Sequence, residues 1–86
     1  MKIVWDEPKR EANLAKHGLD FADLDLAFFE AAAVRPSHTR RFLAFGRSEA
    51  LGVIAVVFRP LGSEAIAIVS MRPARRDERR LVDEQR

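Results

Sequence analysis

The residues with the clearest chemical potential lie near the C-terminal end, where a predicted strand runs into an arginine-rich helix. Arg72, Glu78 and Arg79 bring one carboxylate and two guanidinium groups to this junction. A guanidinium can bind two phosphate oxygens at once. Glu78 could therefore act as a general base held among arginines, with Arg72 and Arg79 binding an anionic phosphate.

Glu78 also has a purely structural interpretation. A helical turn of about 100° per residue puts Glu78 on the same side of the helix as Leu81 and Val82. A carboxylate in an apolar stripe is costly unless it has a partner, and Arg72, Arg75 or Arg79 could provide one. An ion pair that fixes the helix to the sheet would explain the pattern equally well.

Two further groups of basic side chains could contact a polyanion or transfer a proton. Lys16 and His17 end the first predicted helix, and Arg40 and Arg41 begin a predicted strand. Histidine titrates near neutral pH, so His17 could protonate a leaving oxygen, and His38 is a weaker candidate in a loop. The alternative for Lys16 and His17 is a solvated surface at the negative end of the helix dipole.

The composition is that of one globular domain spanning residues 1–86. Hydrophobic residues make up 48% and charged residues 33%, which distinguishes the chain from a disordered one. The absence of cysteine excludes disulfides and thiolate metal sites. No apolar run approaches the roughly 20 residues that cross a bilayer, and the N-terminus lacks a signal-peptide core. We therefore expect a cytoplasmic protein that does not contact a membrane.

Nothing in the spacing of chemical groups indicates a cofactor. The His, Asp and Glu residues do not follow metal-ligand spacing, and neither a glycine-rich phosphate loop nor a nucleophile elbow is present. We predict that the protein uses no metal and no cofactor.

The elements that must position these side chains follow from apolar periodicity and turn residues. The predicted order is β-α-α-β-β-β-α, an α+β fold in which a small antiparallel sheet carries its helices on one face. Asp6 opens the first helix and Gly18 ends it, Asp20 opens the second, and Pro73 lies in the first turn of the last. Strands are predicted over 3–5, 41–47, 52–59 and 64–71, with a loop over 34–39.

Three groups of residues together resemble the BrnT family of type II toxins. The residues are Trp5, Asp6, Lys9, Asn13, Lys16, His17 and Gly18 near the N-terminus; Arg41, Phe42, Gly46 and Arg47 in a strand; and Ser70, Arg72, Ala74, Glu78 and Arg79 at the end. Each group alone is weak, but their order and spacing are fairly specific and span nearly the whole chain.

The resemblance implies a RelE-like fold and a metal-independent ribonuclease that stops translation and growth by cutting RNA. Glu78 would then take the proton from the ribose 2′-OH, and the RNA would be bound by Lys16, His17, Arg40 and Arg41. It implies a BrnA-like antitoxin with a ribbon-helix-helix part, and operator DNA bound only through the complex. One departure matters: Val82 stands where the family usually has tyrosine, and the chain contains no Tyr. The alternative is therefore a non-catalytic protein that binds an antitoxin or nucleic acid. An autonomous DNA-binding domain is disfavoured because no helix-turn-helix pair is evident.

Overall fold

A five-stranded sheet with helices on both faces forms the molecule, which the computed structural model describes over residues 1–84. The sheet order is β1-β5-β4-β3-β2. In chain order the elements are β1 (Lys2–Trp5), α1 (Glu7–His17), a 3-10 turn (Phe21–Asp23), α2 (Leu26–Ala31), β2 (Ala33–Pro36), β3 (Phe42–Ser48), β4 (Gly52–Leu61), β5 (Ala65–Pro73) and α3 (Arg76–Glu84). The predicted α+β class is confirmed. No helix of the described chain has the length and apolar character needed to traverse a bilayer.

The sheet differs from the prediction in two details. The segment expected to be a loop contains β2, which pairs antiparallel with β3, Val34 opposite Ala44. Pro36 is tolerated because β2 is an edge strand, where one side of the backbone needs no partner. In addition, β1 runs parallel to β5, with Ile3 opposite Ile66, so the sheet is mixed. The predicted meander of the three long strands is confirmed.

Local capping explains the helices that precede β2. In α1, Gly18 adopts a left-handed φ of 71° and its N–H donates to the Leu14 carbonyl at 2.8 Å, which ends the helix as predicted. The single second helix expected after Asp20 is instead two short pieces. Asp20 caps the 3-10 turn, and the Asp25 carboxylate accepts from the Phe28 N–H at 2.9 Å and so begins α2 anew.

The inner face of the sheet carries the main core. Phe21 and Phe28 pack there against alternate strand residues, including the fully buried Ile54, Val56 and Met71. Gly46 lets α2 approach closely, because a Cβ at this position would lie 3.3 Å from atoms of Phe28 and Ala32. The inner face therefore holds the 3-10 turn and α2.

The closing helix, α3, lies on the other face of the sheet, which we call the outer face. The prediction that all helices lie on one face is therefore wrong. Phe45, Val53 and Ala55 alternate with core residues, and each is less than 8% exposed although none belongs to the inner cluster. Contacts of α3 with β3 and β4 explain their burial. One half of the outer face is covered in this way.

A β-bulge in β5 decides which side chains reach the outer face. Val57 pairs with Ser70 but Phe58 pairs with Ile68, so Val69 is an extra residue. Strict alternation from Ile68 would put Arg72 on the inner face. The bulge shifts the alternation by one residue, so Met71 is buried in the core and Arg72 points toward α3.

Asn13 fastens α1 to the sheet through a buried amide. Its Oδ1 accepts from the Met71 N–H at 3.0 Å, and its Nδ2 donates to the Leu19 carbonyl at 3.2 Å. β1 has already ended at this level of the sheet, so the amide completes a backbone hydrogen bond that no strand supplies. The side chain is therefore a structural clamp between α1 and β5.

Candidate active site

The junction between β5 and α3 begins later than the sequence suggests. Pro73 is the last residue of β5 and not part of the helix, because the Ala74 N–H still donates to the Val53 carbonyl at 3.0 Å. The first helical residue is Arg76. Glu78 is then the third helical residue, and its Oε1 accepts from the Arg75 N–H at 2.8 Å, as in a capping box.

Arg72 and Glu78 form a two-pronged ion pair across this junction. Arg72 Nη1 donates to Glu78 Oε1 at 2.7 Å, and Nη2 donates to Oε2 at 2.9 Å. The Glu78 side chain is 6% exposed and that of Arg72 is 25% exposed. Both carboxylate oxygens are therefore occupied, and the ion-pair interpretation of Glu78 describes the observed geometry.

The electrostatics of the pair favour its charged form. The Arg72 guanidinium lowers the pKa of Glu78, and the Arg75 N–H acts in the same direction, whereas burial opposes them. The carboxylate in turn raises the pKa of Arg72. A carboxylate held ionised, buried and triply hydrogen-bonded is a weak proton acceptor, so in this arrangement Glu78 holds Arg72 in place.

Arg79 lies apart from this pair. It is exposed on the solvent side of α3, where it lines a shallow surface with Arg76, Arg80 and Asp83. In the part of the chain that the structure describes, no hydrogen bond joins its side chain to Glu78. The expected convergence of one carboxylate and two guanidinium groups is thus reduced to Arg72 and Glu78.

A groove between α1 and the second half of β5 collects the other predicted residues. Lys16 and His17 line it from α1, and Arg72 lines it from β5. Lys9 extends this basic side of the groove toward the start of α1, and Ser70 of β5 also lines the groove. We call this set the α1–β5 groove. Its positive wall is suited to a phosphate backbone, and the sequence did not show that the two ends of the chain meet here.

Arg41 and Arg40 stand outside this groove but near it. Arg41 lines an adjoining groove that shares Lys9 and Val69 with the α1–β5 groove. Arg40 has a left-handed φ of 58° in the turn before β3 and lies by Arg59. The basic residues therefore follow one another along the molecule instead of forming a single cluster.

Three residues in or near these grooves were given no site role from the sequence. Lys9 and Asn13 belonged to the N-terminal motif, and helical spacing from Lys16 and His17 was the signal that could have placed them. Arg59 is the last residue of the predicted strand 52–59, whose other residues are nearly all apolar. Its position opposite Ala67 became visible only with the strand register.

The described residues form no evident metal site. Among residues 1–84, no three His, Cys, Asp or Glu side chains are grouped closely enough to hold an ion.

The folded state should lose stability in acid through three carboxylates. Hydrogen bonds from Trp5 and Arg10 lower the pKa of Glu7, the Ala22 N–H lowers that of Asp20, and Arg72 lowers that of Glu78. Because these pKa values are lower in the folded state, their contribution is present above the ordinary values, 4.5 for Glu and 3.8 for Asp, and disappears as the pH falls below them.

Urea unfolding at pH 7, 4 and 3 measures this dependence. We expect the free energy of unfolding to fall steadily between pH 5 and pH 3, and to fall less steeply in Glu78→Gln, which cannot ionise at that position. An unchanged slope in this variant would contradict the assignment of Glu78.

Comparison with known proteins identifies a matching family and a similar crystal structure. The family profile described as "Ribonuclease toxin, BrnT, of type II toxin-antitoxin system" matches residues 5–78. The fold is similar to the crystal structure of the Brucella abortus ribonuclease toxin BrnT, with 55% sequence identity and a TM-score of 0.82. The alignment covers 88% of this chain and 99% of that one. A search of curated proteins found no significant match.

Proposed function

The chain belongs to the BrnT family of ribonuclease toxins of type II toxin–antitoxin systems, and from this premise we propose that it cuts RNA without a metal ion. The observation that carries the proposal is the α1–β5 groove, in which Lys9, Lys16 and His17 face Arg72. Positive charge of this kind can hold a phosphodiester and stabilise the charge that develops during cleavage.

Within the groove each side chain has a distinct proposed role. Arg72 contacts the scissile phosphate, and Lys9 and Lys16 contact the flanking backbone. His17 is the group lining the groove whose type suits proton exchange with the ribose or the leaving oxygen. Glu78 is a positioning residue that orients Arg72, because its carboxylate is occupied by Arg72 and by the Arg75 N–H. The role of Glu78 as the general base stays a prediction, which the Glu78→Gln variant can test.

The remaining basic residues fit the same substrate at a distance from the cut. Arg41 and Arg40 would guide the RNA strand away from the groove along the exposed end of the sheet. Arg79 lies on the solvent side of α3, apart from the groove, so its contact with the phosphate stays a prediction that Arg79→Gln can test. Such contacts add affinity that weakens with salt.

The proposed setting is the bacterial cytoplasm, with a BrnA-like antitoxin as partner. Cleavage of cellular RNA would inhibit translation and stop growth until the antitoxin binds. Binding to operator DNA would belong to the complex, through the ribbon-helix-helix part of the antitoxin.

Cleavage of a single-stranded RNA in the presence of EDTA tests the proposal. Wild-type protein should cut the RNA, and Lys9→Gln with Lys16→Gln should slow cleavage by roughly a hundredfold, since each of the two charge-assisted contacts contributes about 1.5 kcal/mol. The matched control is Arg76→Gln with Arg80→Gln, which removes equal charge from α3 and should change the rate little. Equal losses in both double variants would contradict a site in the groove.

A second candidate function is supported by Val82. This half-buried side chain occupies the position where the family resemblance expects a tyrosine hydroxyl. If that hydroxyl is required, the protein binds its antitoxin without cutting RNA. Wild-type protein that leaves RNA intact with and without EDTA, yet binds the product of the adjacent open reading frame, would establish this alternative.

A further inference from the structure

Half of the outer sheet face is left open beside α3. The helix covers Phe45, Val53 and Ala55 through its contacts with β3 and β4, whereas the aliphatic side chains of the following cross-strand rows stay half-buried or exposed. These rows hold five aliphatic side chains that are half-buried or exposed. They are Val4, Leu43, Val57, Ala67 and Val69. We call these five residues the open outer face.

The register shows that these side chains form one continuous surface. Leu43 lies opposite Val57 on neighbouring strands, and Val4 lies opposite Ala67 on the next pair. Val69 is the bulge residue between the two rows. Ser70 completes the first row opposite Val57, and Arg59 lies opposite Ala67 in the second, so the aliphatic side chains run diagonally from β3 to β1. With strands about 4.8 Å apart, this path spans roughly 14 Å, enough for a helix about 10–12 Å in diameter to lie across it.

The rim of this surface is basic. The groove over Val4, Ala67 and Val69 is also lined by Arg41, Arg59 and Lys9, and Asp6 is the carboxylate among its lining residues. Arg59 lies opposite Ala67, so the arginines flank the aliphatic path on its β4 and β3 side. Arg41 and Arg59 are exposed and form no ion pair among residues 1–84. An occupant that placed carboxylates at the rim and aliphatic side chains on the floor would match both properties.

The floor favours a protein segment over RNA. Unpaired bases stack on aromatic rings, whereas the open outer face is aliphatic. Trp5 lines the same groove, but its indole N–H donates to Glu7 at 2.7 Å and its ring packs edge-on against Phe21, so it is engaged on the inner side. Aliphatic side chains arranged on one side of a helix are the usual occupants of such a surface.

We propose that the open outer face, with its rim of Arg41 and Arg59, is the docking surface for an acidic amphipathic helix of the antitoxin. The proposal rests on the proposed function, since it names the surface that the partner uses. The docking groove shares Lys9 and Val69 with the α1–β5 groove. A helix docked here would crowd the RNA groove, so neutralisation follows from occlusion of the neighbouring site.

Methyl NMR of the wild-type protein tests the surface without a substitution. The probe is the purified product of the open reading frame adjacent to this chain's gene. Its addition should shift or broaden the methyl signals of Val4, Val57 and Val69. Leu26 and Leu81 are matched controls, because they are 36% and 38% exposed against 37% for Val4, yet lie on α2 and α3. Shifts confined to the control methyls would overturn the proposal.

Affinity measurements by calorimetry provide a second test of the docking surface. Arg59→Glu should weaken binding of the same probe by about tenfold or more, since it places a like charge opposite the acidic helix. Arg80→Glu, on the solvent side of α3, should leave the affinity unchanged. Equal affinities of both variants would overturn the proposal.

Two further outcomes separate this inference from the proposed function. A probe that binds elsewhere, while the protein still cuts RNA, removes only the docking surface. A probe that does not bind the wild-type protein overturns both the docking surface and the proposed partner. A single-stranded RNA oligonucleotide that shifts the methyls of Leu43 and Val57, which line neither groove, would assign the surface to the substrate and overturn the proposal.

Discussion

Arg72→Ala is expected to lower the free energy of unfolding by about 2–3 kcal/mol. Removing one partner of a buried ion pair costs about 3–5 kcal/mol because the other charge is left without compensation. We place the expected value below that range, since the Arg72 side chain is 25% exposed and water can partly solvate the remaining carboxylate. Urea unfolding of both proteins at pH 7 measures the difference.

Two variants make this result specific. Arg72→Ala combined with Glu78→Gln should be less destabilised than Arg72→Ala alone, because the uncompensated charge has been removed. Arg47→Ala is the matched control, since it breaks the pair with Asp83 at 2.6 Å that also joins the sheet to α3. That pair is 46% and 63% exposed, so we expect a loss of at most about 1 kcal/mol. Equal losses for Arg47→Ala and Arg72→Ala would refute a special role for the buried pair.

His17→Ala is expected to reduce the rate of RNA cleavage by about 10²–10⁴-fold, the usual contribution of a general acid or base. His17 lines the α1–β5 groove with Arg72, and the other lining side chains are less suited to proton exchange near neutral pH. Because His17 is half-buried at the end of α1 and forms none of the described side-chain hydrogen bonds, stability should change little. Single-turnover cleavage and urea unfolding, run on the same samples, separate the two effects.

His38→Ala is the control for this experiment. His38 lies exposed in the turn between β2 and β3, outside the α1–β5 groove. Its replacement should leave the cleavage rate and its pH profile unchanged, whereas His17→Ala should remove one limb of the profile. Identical pH profiles of wild-type protein and His17→Ala would show that another group transfers the proton.

Glu78→Gln distinguishes positioning from catalysis at the buried pair. A general base would make this variant lose 10²-fold or more of the rate, in about the same range as His17→Ala. A positioning residue predicts a much smaller loss, because Gln keeps the shape and can still accept from the Arg75 N–H. The geometry favours the smaller loss, since both carboxylate oxygens are occupied.

Local chemistry allowed much of the fold to be predicted. Gly18 ended α1 because its left-handed backbone suits glycine, and short turns joined β3, β4 and β5 as a meander. An ion pair between Glu78 and a nearby arginine could also be predicted, because a carboxylate within an apolar stripe requires a partner. These features depend on residues close together in the chain.

The features that escaped prediction depend on the register of distant segments. β2 is a strand because β3 offers an edge to it, and Pro73 stays in β5 because the Ala74 N–H reaches Val53. Asn13 is a clamp because β1 ends before β5 does, which leaves the Met71 N–H for a side chain. The Ala74–Val53 and Asn13–Met71 contacts join residues far apart in sequence. β2 lies next to β3 in the chain, but its Arg35, Pro36 and Ser37 indicate a loop, so only the pairing shows it to be a strand.

The sequence by itself determined most of the element types, the family and the need of Glu78 for a nearby arginine, because these follow from residue type and short spacing. Tertiary structure alone decided where that pair acts. The extra residue at Val69 turns Arg72 away from the core, and the packing of α1 against β5 brings Lys16 and His17 to the same groove. A one-residue shift in strand pairing reverses which face every later side chain occupies, and no local pattern reports it.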